Sequence, residues 1–232
     1  MSWFSATGPR AGPPRTARSE EKAAVAAATI HQSLGFKALL RGLRPEASHS
    51  LLDLGPALGA NVEFFNSRLA CRMRIADFYR SYAGRGLTAD DDEAAFGAAV
   101  RDILAFSPGE TFDAVLAWDL FDYLRRPQIG ALMGHVTTAL RPGALLFLSL
   151  CYGKQIPAAP LTFRIVDEQT LRYGAAGESQ RPCPRYKLPD LERQMPGFAV
   201  EASFLLRNGM QEYVLVYQDG GSAAGASGGG PA

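Results

Sequence analysis

Cysteine, histidine and tryptophan are scarce in this chain: three, three and two among 232 residues. Cys71, Cys151 and Cys183 are odd in number and scattered, with no C-x-x-C spacing. They read as buried or free thiols in a reducing compartment, not as a disulfide framework. His31, His49 and His135 do not cluster, so no protein-bound metal is expected. No apolar run approaches the ~20 residues of a membrane span. Residues 1–18 are rich in Pro, Gly, Arg and Ala but lack the apolar stretch of a secretory signal, so the default expectation is a cytoplasmic protein. Neither sign of charge dominates, with 24 Lys and Arg against 23 Asp and Glu, and three of the arginines lie in the acid-free first eighteen residues. A near-neutral core argues against a dedicated nucleic-acid binder. There is no internal repeat.

What is present is apolar and evenly spread. With 47% hydrophobic and 20% charged residues the chain can bury a sizeable core. The expected organisation is one domain over 19–218 between two disordered tails, 1–18 and 219–232, which have no apolar periodicity. Ser19-Glu-Glu-Lys reads as the start of a helix continuing through the Ala-rich run to Leu34, with another apolar turn or two from Phe36 to Leu43. Leu51–Leu54, Cys71–Asp77, Phe112–Trp118 and Ala144–Leu150 read as strands. Asn61 to about Leu69 reads as a helix, and so does the segment from Pro127 through Leu140. Residues 94–103 fit a helix capped by Asp90–Asp92, with a short strand near Ala99–Ile103 as the alternative. The Pro-rich stretch 152–187 shows little periodicity; its length and its aromatic and Arg content suit a substrate lid. Asn208-Gly209 between Phe198–Leu206 and Met210–Tyr217 predicts an antiparallel hairpin.

The stretch Ser50-Leu-Leu-Asp-Leu-Gly-Pro-Ala-Leu-Gly-Ala-Asn61 organises the rest. A strand, a glycine turn and a helix opening form the first half of a βαβ unit, and ligands of open α/β sheets bind at such strand ends. The dinucleotide fingerprint G-x-G-x-x-G is absent. Gly55 and Gly59 are four apart, and Pro56 removes a backbone donor, so the loop is poorly built for two phosphates. Asp77 ends the next strand about twenty residues on, the spacing of an acid that accepts from ribose hydroxyls. The ligand implied is a nucleoside with a small charged group and no pyrophosphate. Asp53 lies inside an apolar strand and needs partners, either loop N–H groups or ligand. Trp118 and Asp119 stand at a strand's C-terminal end, where reacting groups gather in such sheets.

Over about residues 49–152 these pieces resemble the class I S-adenosylmethionine-dependent methyltransferases. The resemblance rests on Leu51-Leu-Asp-Leu-Gly55 with Gly59, on Asp77, on Arg101-Asp-Ile-Leu-Ala-Phe106 before Phe112-Asp113, and on Leu140-Arg-Pro-Gly143. It departs from that family's richer G-x-G loop. It implies a Rossmann-like three-layer αβα fold with a mostly parallel seven-stranded sheet completed by the C-terminal antiparallel hairpin. It implies S-adenosyl-L-methionine as cofactor, with the Gly55–Gly59 loop beside its methionine portion, Asp77 on the ribose, Asp102 on the adenine amine, and Asp53, Asn61 and Trp118 also in its site. Asp119 is the candidate base, needed only if the acceptor must lose a proton. A small-molecule acceptor is expected, and no membrane or nucleic-acid partner. The competing readings are a non-catalytic binding or partner subunit of the same fold and, behind it, a nicotinamide dehydrogenase.

Overall fold

The computed structural model describes residues 29–86, 92–175 and 177–218. The tails expected over 1–18 and 219–232, and the helix start at Ser19, lie outside the described residues. The elements in chain order are β1 (Thr29–Gln32), α1 (Leu34–Gly42), β2 (Ser48–Asp53), α2 (Gly59–Arg68), β3 (Ala70–Ile75), α3 (Phe78–Ala83) and α4 (Glu93–Ile103). They continue with β4 (Phe112–Trp118), a 3-10 turn (Leu120–Tyr123), α5 (Arg126–Thr137), β5 (Leu140–Cys151), β6 (Gln155–Pro157), β7 (Thr162–Ile165) and β8 (Thr170–Gly174). The chain closes with β9 (Gln180–Pro182), α6 (Leu188–Glu192), β10 (Phe198–Leu205) and β11 (Met210–Tyr217).

Among the described residues the central sheet has six strands, in the order β10-β11-β5-β4-β2-β3. β3, β2, β4 and β5 run parallel, and β11 is antiparallel to both β5 and β10. Period-two alternation sends successive residues of the buried strands to opposite faces. Leu52, Val115, Ala117, Leu146 and Leu148 face α3, α4, α5 and α6, burying Phe78, Phe96, Val100, Leu132 and Met133. Leu51, Ala114, Leu116, Leu145 and Phe147 face α1 and α2, burying Phe36, Leu39 and Phe65. The result is a three-layer, Rossmann-like α/β fold.

The structure corrects the expected seven-stranded sheet. Residues 93–103 are wholly helical: Asp92 caps the helix by accepting from Ala95 N at 2.7 Å, and Phe96, Ala99 and Val100 fall on its buried side. The i, i+3, i+4 spacing prevails over the strand alternative. With no strand in that place, β3 is the edge of the sheet among the described residues. Two other expectations also change. Residues 29–32, assigned to a helix ending at Leu34, form β1 instead. The Pro-rich stretch carries four short strands: β7 and β8 join β1 in an antiparallel sheet, and β6 pairs with β9. Their three- to five-residue lengths leave too little alternation to detect in the sequence.

One buried acid fastens the small sheet to the large one. Glu212, on β11, accepts from Gly35 N at 2.8 Å through Oε2 and from His31 Nε2 at 3.1 Å through Oε1. A Cβ on Gly35 would come within 2.7 Å of Glu212 Cβ and 3.0 Å of the Phe147 ring. Helix propensity alone would make Gly35→Ala stabilising by up to ~1 kcal/mol. Overpacking reverses the sign, and we expect a loss of about 1–3 kcal/mol in urea unfolding. A gain would show that Glu212 yields without cost.

Candidate functional site

β2 lies between β3, to which the chain crosses next, and β4, on its other side, so the strand order switches direction at β2. The crevice at the carboxyl ends of β2 and β4 is where such sheets take ligands. Backbone bonds carry the pairing past the strand ends. Leu54 N donates to Leu116 O (3.0 Å), Ala76 N to Asp53 O (2.8 Å), Asp77 N to Gly55 O (3.1 Å) and Phe78 N to Leu54 O (2.9 Å). They fix Asp77 beside the glycine loop.

Asp53 is 1% exposed, and one of its oxygens holds two elements: Oδ1 accepts from Gly55 N at 2.9 Å and from Trp118 Nε1 at 2.7 Å. Burial pushes its carboxyl up to about 6, against the pull of both donors. The Trp118 indole stacks on Phe163, with centroids 5.2 Å apart and planes 13° apart. It also lies on the glycine loop: a Cβ on Gly55 would be 2.7 Å from its Cδ1. Gly55 therefore has no side chain because the indole occupies that space. Gly59 differs, with nothing within 4 Å of an added Cβ. It opens α2, whose N-cap, Leu58, supplies no side-chain acceptor.

Asp77 and Trp118 share an uncommon backbone. Their φ values are +42° and +52°, in the left-handed region that costs non-glycine residues about 1–2 kcal/mol each. Asp77 is half-buried, and its nearest cation is Arg80, with Nε 3.8 Å from Oδ2. Partial burial raises its carboxyl above the ordinary value, opposed by Arg80.

Asn61 is 2% exposed and works like a rung of sheet. Its Nδ2 donates to Phe163 O and its Oδ1 accepts from Ile165 N, both at 2.9 Å, so it pins β7 over the start of α2. Asp102 is exposed on α4, in an ion pair with Arg85 at 2.5 Å.

Past β4 the candidate base Asp119 stands in one buried turn with Asp122 and Tyr123. Asp119 Oδ2 accepts from Leu161 N at 2.9 Å and Asp122 Oδ2 from Cys151 N at 2.8 Å. Asp119 Oδ1, Asp122 Oδ1 and Tyr123 Oη are buried with no hydrogen-bond partner among the described residues. Desolvation pushes Asp119 up to about 8, with the Asp122 charge adding to it, and pushes Asp122 up to about 7. Tyr123 is raised too, by burial first and then by Asp119 and Asp122. The signal was present in Trp118-Asp-Leu-Phe-Asp-Tyr-Leu124, where two acids stand inside an otherwise uncharged, mostly apolar run.

A cavity of about 430 Å³ opens at the other end of the sheet, lined by Ser50, Arg72, Arg74, Glu110 and Arg141 among others. Arg74 is paired with Glu110 at 2.7 Å and Arg141 with Asp113 at 2.5 Å, so it is a salt-bridged cleft at the amino ends of the strands. Among the described residues no group of three or more His, Cys, Asp or Glu is placed to hold a metal. Nor is any helix there long and apolar enough to cross a membrane.

No protein-family model and no curated protein matches the chain. It resembles solved S-adenosylmethionine-dependent methyltransferases. One, from Clostridium acetobutylicum ATCC 824, is 12% identical, with 88% of this chain and 98% of that chain covered and a TM-score of 0.49. The glycopeptide N-methyltransferase MtfA, complexed with S-adenosyl-L-homocysteine, is 18% identical over 89% of this chain and 100% of that chain, at 0.43. The pyocyanin biosynthetic protein PhzM is 16% identical over 79% of this chain, at 0.41, and the match spans 54% of its length. All three are distant, and the functional reading rests on the topology and the residues.

The pH dependence of stability reports on the buried acids. The unfolded chain releases the Asp119 proton near the ordinary 3.8 and the folded chain keeps it to about 8, so stability falls as pH rises between those values. We expect Asp119→Asn to flatten that fall by up to about 1.4 kcal/mol per pH unit, read from urea unfolding at several pH values. Parallel curves for variant and wild type would mean that Asp119 is ionised in the folded chain.

Proposed function

We propose that the chain is an S-adenosylmethionine-dependent methyltransferase acting on an unidentified small-molecule acceptor, with residues 19–218 as its domain. The observation that carries this reading is the pair of left-handed residues, Asp77 and Trp118, on the strand ends flanking β2. Backbone strain of this kind gathers at ligand sites, and here it stands at the switch point of the sheet.

The residues fit the cofactor in two places. The half-buried Asp77 carboxylate, with Arg80 beside it, keeps acceptor capacity for two ribose hydroxyls. The open approach over Gly59 and the uncapped start of α2 suit the amino-acid carboxylate. Asp53 acts behind them, bracing Gly55 and Trp118, while Asn61 holds the β7 cover and Trp118 forms a wall. Asp102 stays outside this arrangement, because Arg85 holds it. When bound, the cofactor supplies a methyl group already activated on a sulfonium, so positioning provides most of the acceleration. The protein's contribution is to orient the acceptor past β4 and exclude water there. Asp119, with one carboxyl oxygen unpartnered among the described residues, takes a proton from acceptors that must lose one once it is ionised, above about pH 8.

A second reading, a non-catalytic binding subunit of the same fold, draws on a different observation. Asp53, Asn61, Trp118 and one oxygen of Asp119 are all engaged inside the protein. Calorimetry with S-adenosylhomocysteine separates the two. Wild type binds at micromolar Kd or better on the enzyme reading. Asp77→Asn weakens that binding by about tenfold or more, as expected for loss of an acceptor to two donors. Asp102→Asn stays within about twofold, as for an exposed ion pair. Equal affinities for wild type and Asp77→Asn place the ribose elsewhere, and no binding by wild type favours the subunit reading.

A further inference from the structure

Two of the three cysteines meet where β5 leaves the central sheet and the β6–β9 ladder begins. Cys151 is the last residue of β5, and Cys183 directly follows β9. Cys183 N donates to Lys154 O at 3.1 Å, which extends the ladder by one register towards β5. The Cys183 thiol donates to the Cys151 carbonyl at 3.0 Å, and the Cys151 sulfur accepts from Gly153 N at 3.3 Å in a tight turn. Cys71 lies far away, on the edge strand β3.

The cluster around these sulfurs packs on the turn described above, through Tyr123. Cys183 packs with Tyr123 and Ile156, and Cys151 and Tyr79 lie against that group. The Cys151 N–H is also the partner of Asp122 Oδ2. The cover over the Asp119–Asp122–Tyr123 turn is therefore anchored at its base by two adjacent thiols that are both free.

We propose that Cys151 and Cys183 are a reversible disulfide site that clamps the β6–β9 ladder over the Asp119–Asp122–Tyr123 turn, oxidised by a low-molecular-weight disulfide such as oxidised glutathione. The half-buried Cys151 reacts first: its thiolate attacks one glutathione sulfur, forming a mixed disulfide and expelling a glutathione thiolate. Cys183 then loses its proton and attacks the Cys151 sulfur, forming the internal disulfide and expelling the second glutathione thiolate. Two protein thiols are oxidised by two electrons, and oxidised glutathione becomes two glutathione molecules that take up the two protons. Burial pushes the Cys183 thiol up to about 11, so the closing step accelerates as pH rises towards that value. This chemistry belongs to the thiols and stands apart from the methyl-transfer reading.

The test uses the reduced full-length chain, millimolar oxidised glutathione at about pH 8, and peptide mapping by mass spectrometry. The expected product is a Cys151–Cys183 cross-link that retains no glutathione, is reversed by a reductant, and slows amide exchange at Gln155 and Ile156 by about tenfold. In Cys183→Ser the glutathione adduct persists on Cys151, because the closing thiol is gone. Wild type that keeps glutathione on Cys151, cross-links through Cys71, or leaves Cys151 and Cys183 unmodified overturns the proposal.

Discussion

The Asp53 carboxylate ties the loop after β2 to the end of β4, and the arrangement of the crevice depends on that tie. An acid this buried is costly unless its oxygens are partnered. Here one oxygen takes both the Gly55 amide and the Trp118 indole N–H. The indole is thereby fixed flat against Phe163 and over Gly55, which admits no side chain beneath it. The left-handed backbone at Trp118 follows from the same requirement: the strand must turn sharply for the ring to reach Asp53 while the next residue, Asp119, meets Leu161. Loop, wall and cover thus share one anchor.

The cover is held by polar groups, not by apolar burial alone. Asn61 makes two bonds to the β7 backbone and Asp119 one to Leu161 N, so three short bonds set where the inserted segment crosses the switch point. Each replaces a bond to water and contributes only about a kilocalorie per mole, but leaving any of those buried groups unpaired would cost more. Directional bonds of this kind specify a position, whereas apolar packing on Phe163 and Ile165 tolerates sliding. The insertion is therefore registered against the crevice.

Much of this was legible in the sequence. Long apolar runs such as Phe112–Trp118 marked the central strands, and Asn208-Gly209 marked the hairpin, because burial on both faces and turn chemistry leave local signatures. The missing strand was legible too, in the spacing of Phe96, Val100 and Ile103 behind Asp92, once the helical period is set against the family pattern. Other features were not. β6 to β9 are three to five residues long and take their shape from partners far along the chain. Nothing local marks Asn61 as the partner of Phe163 and Ile165, because the contact spans about a hundred residues. The roles of Asp122 and Tyr123 depend on how deeply the turn after β4 is buried. Asp102 keeps its place in the motif, but its helix carries it to Arg85.

The helix at 93–103 has a consequence at the rim of the molecule. No described strand pairs with the outer side of β3, so half of that strand's amides and carbonyls face outward. Such a rim is a template on which another chain can add a strand. Along it stand Arg72, exposed, and Arg74, stacked over Phe106 and held by Glu110. A second copy approaching this rim brings the same two guanidinium groups against them, and like charges set side by side oppose the pairing that the bare backbone invites. The residues that make β3 look amphipathic in the sequence thus also discourage polymerisation along its open side.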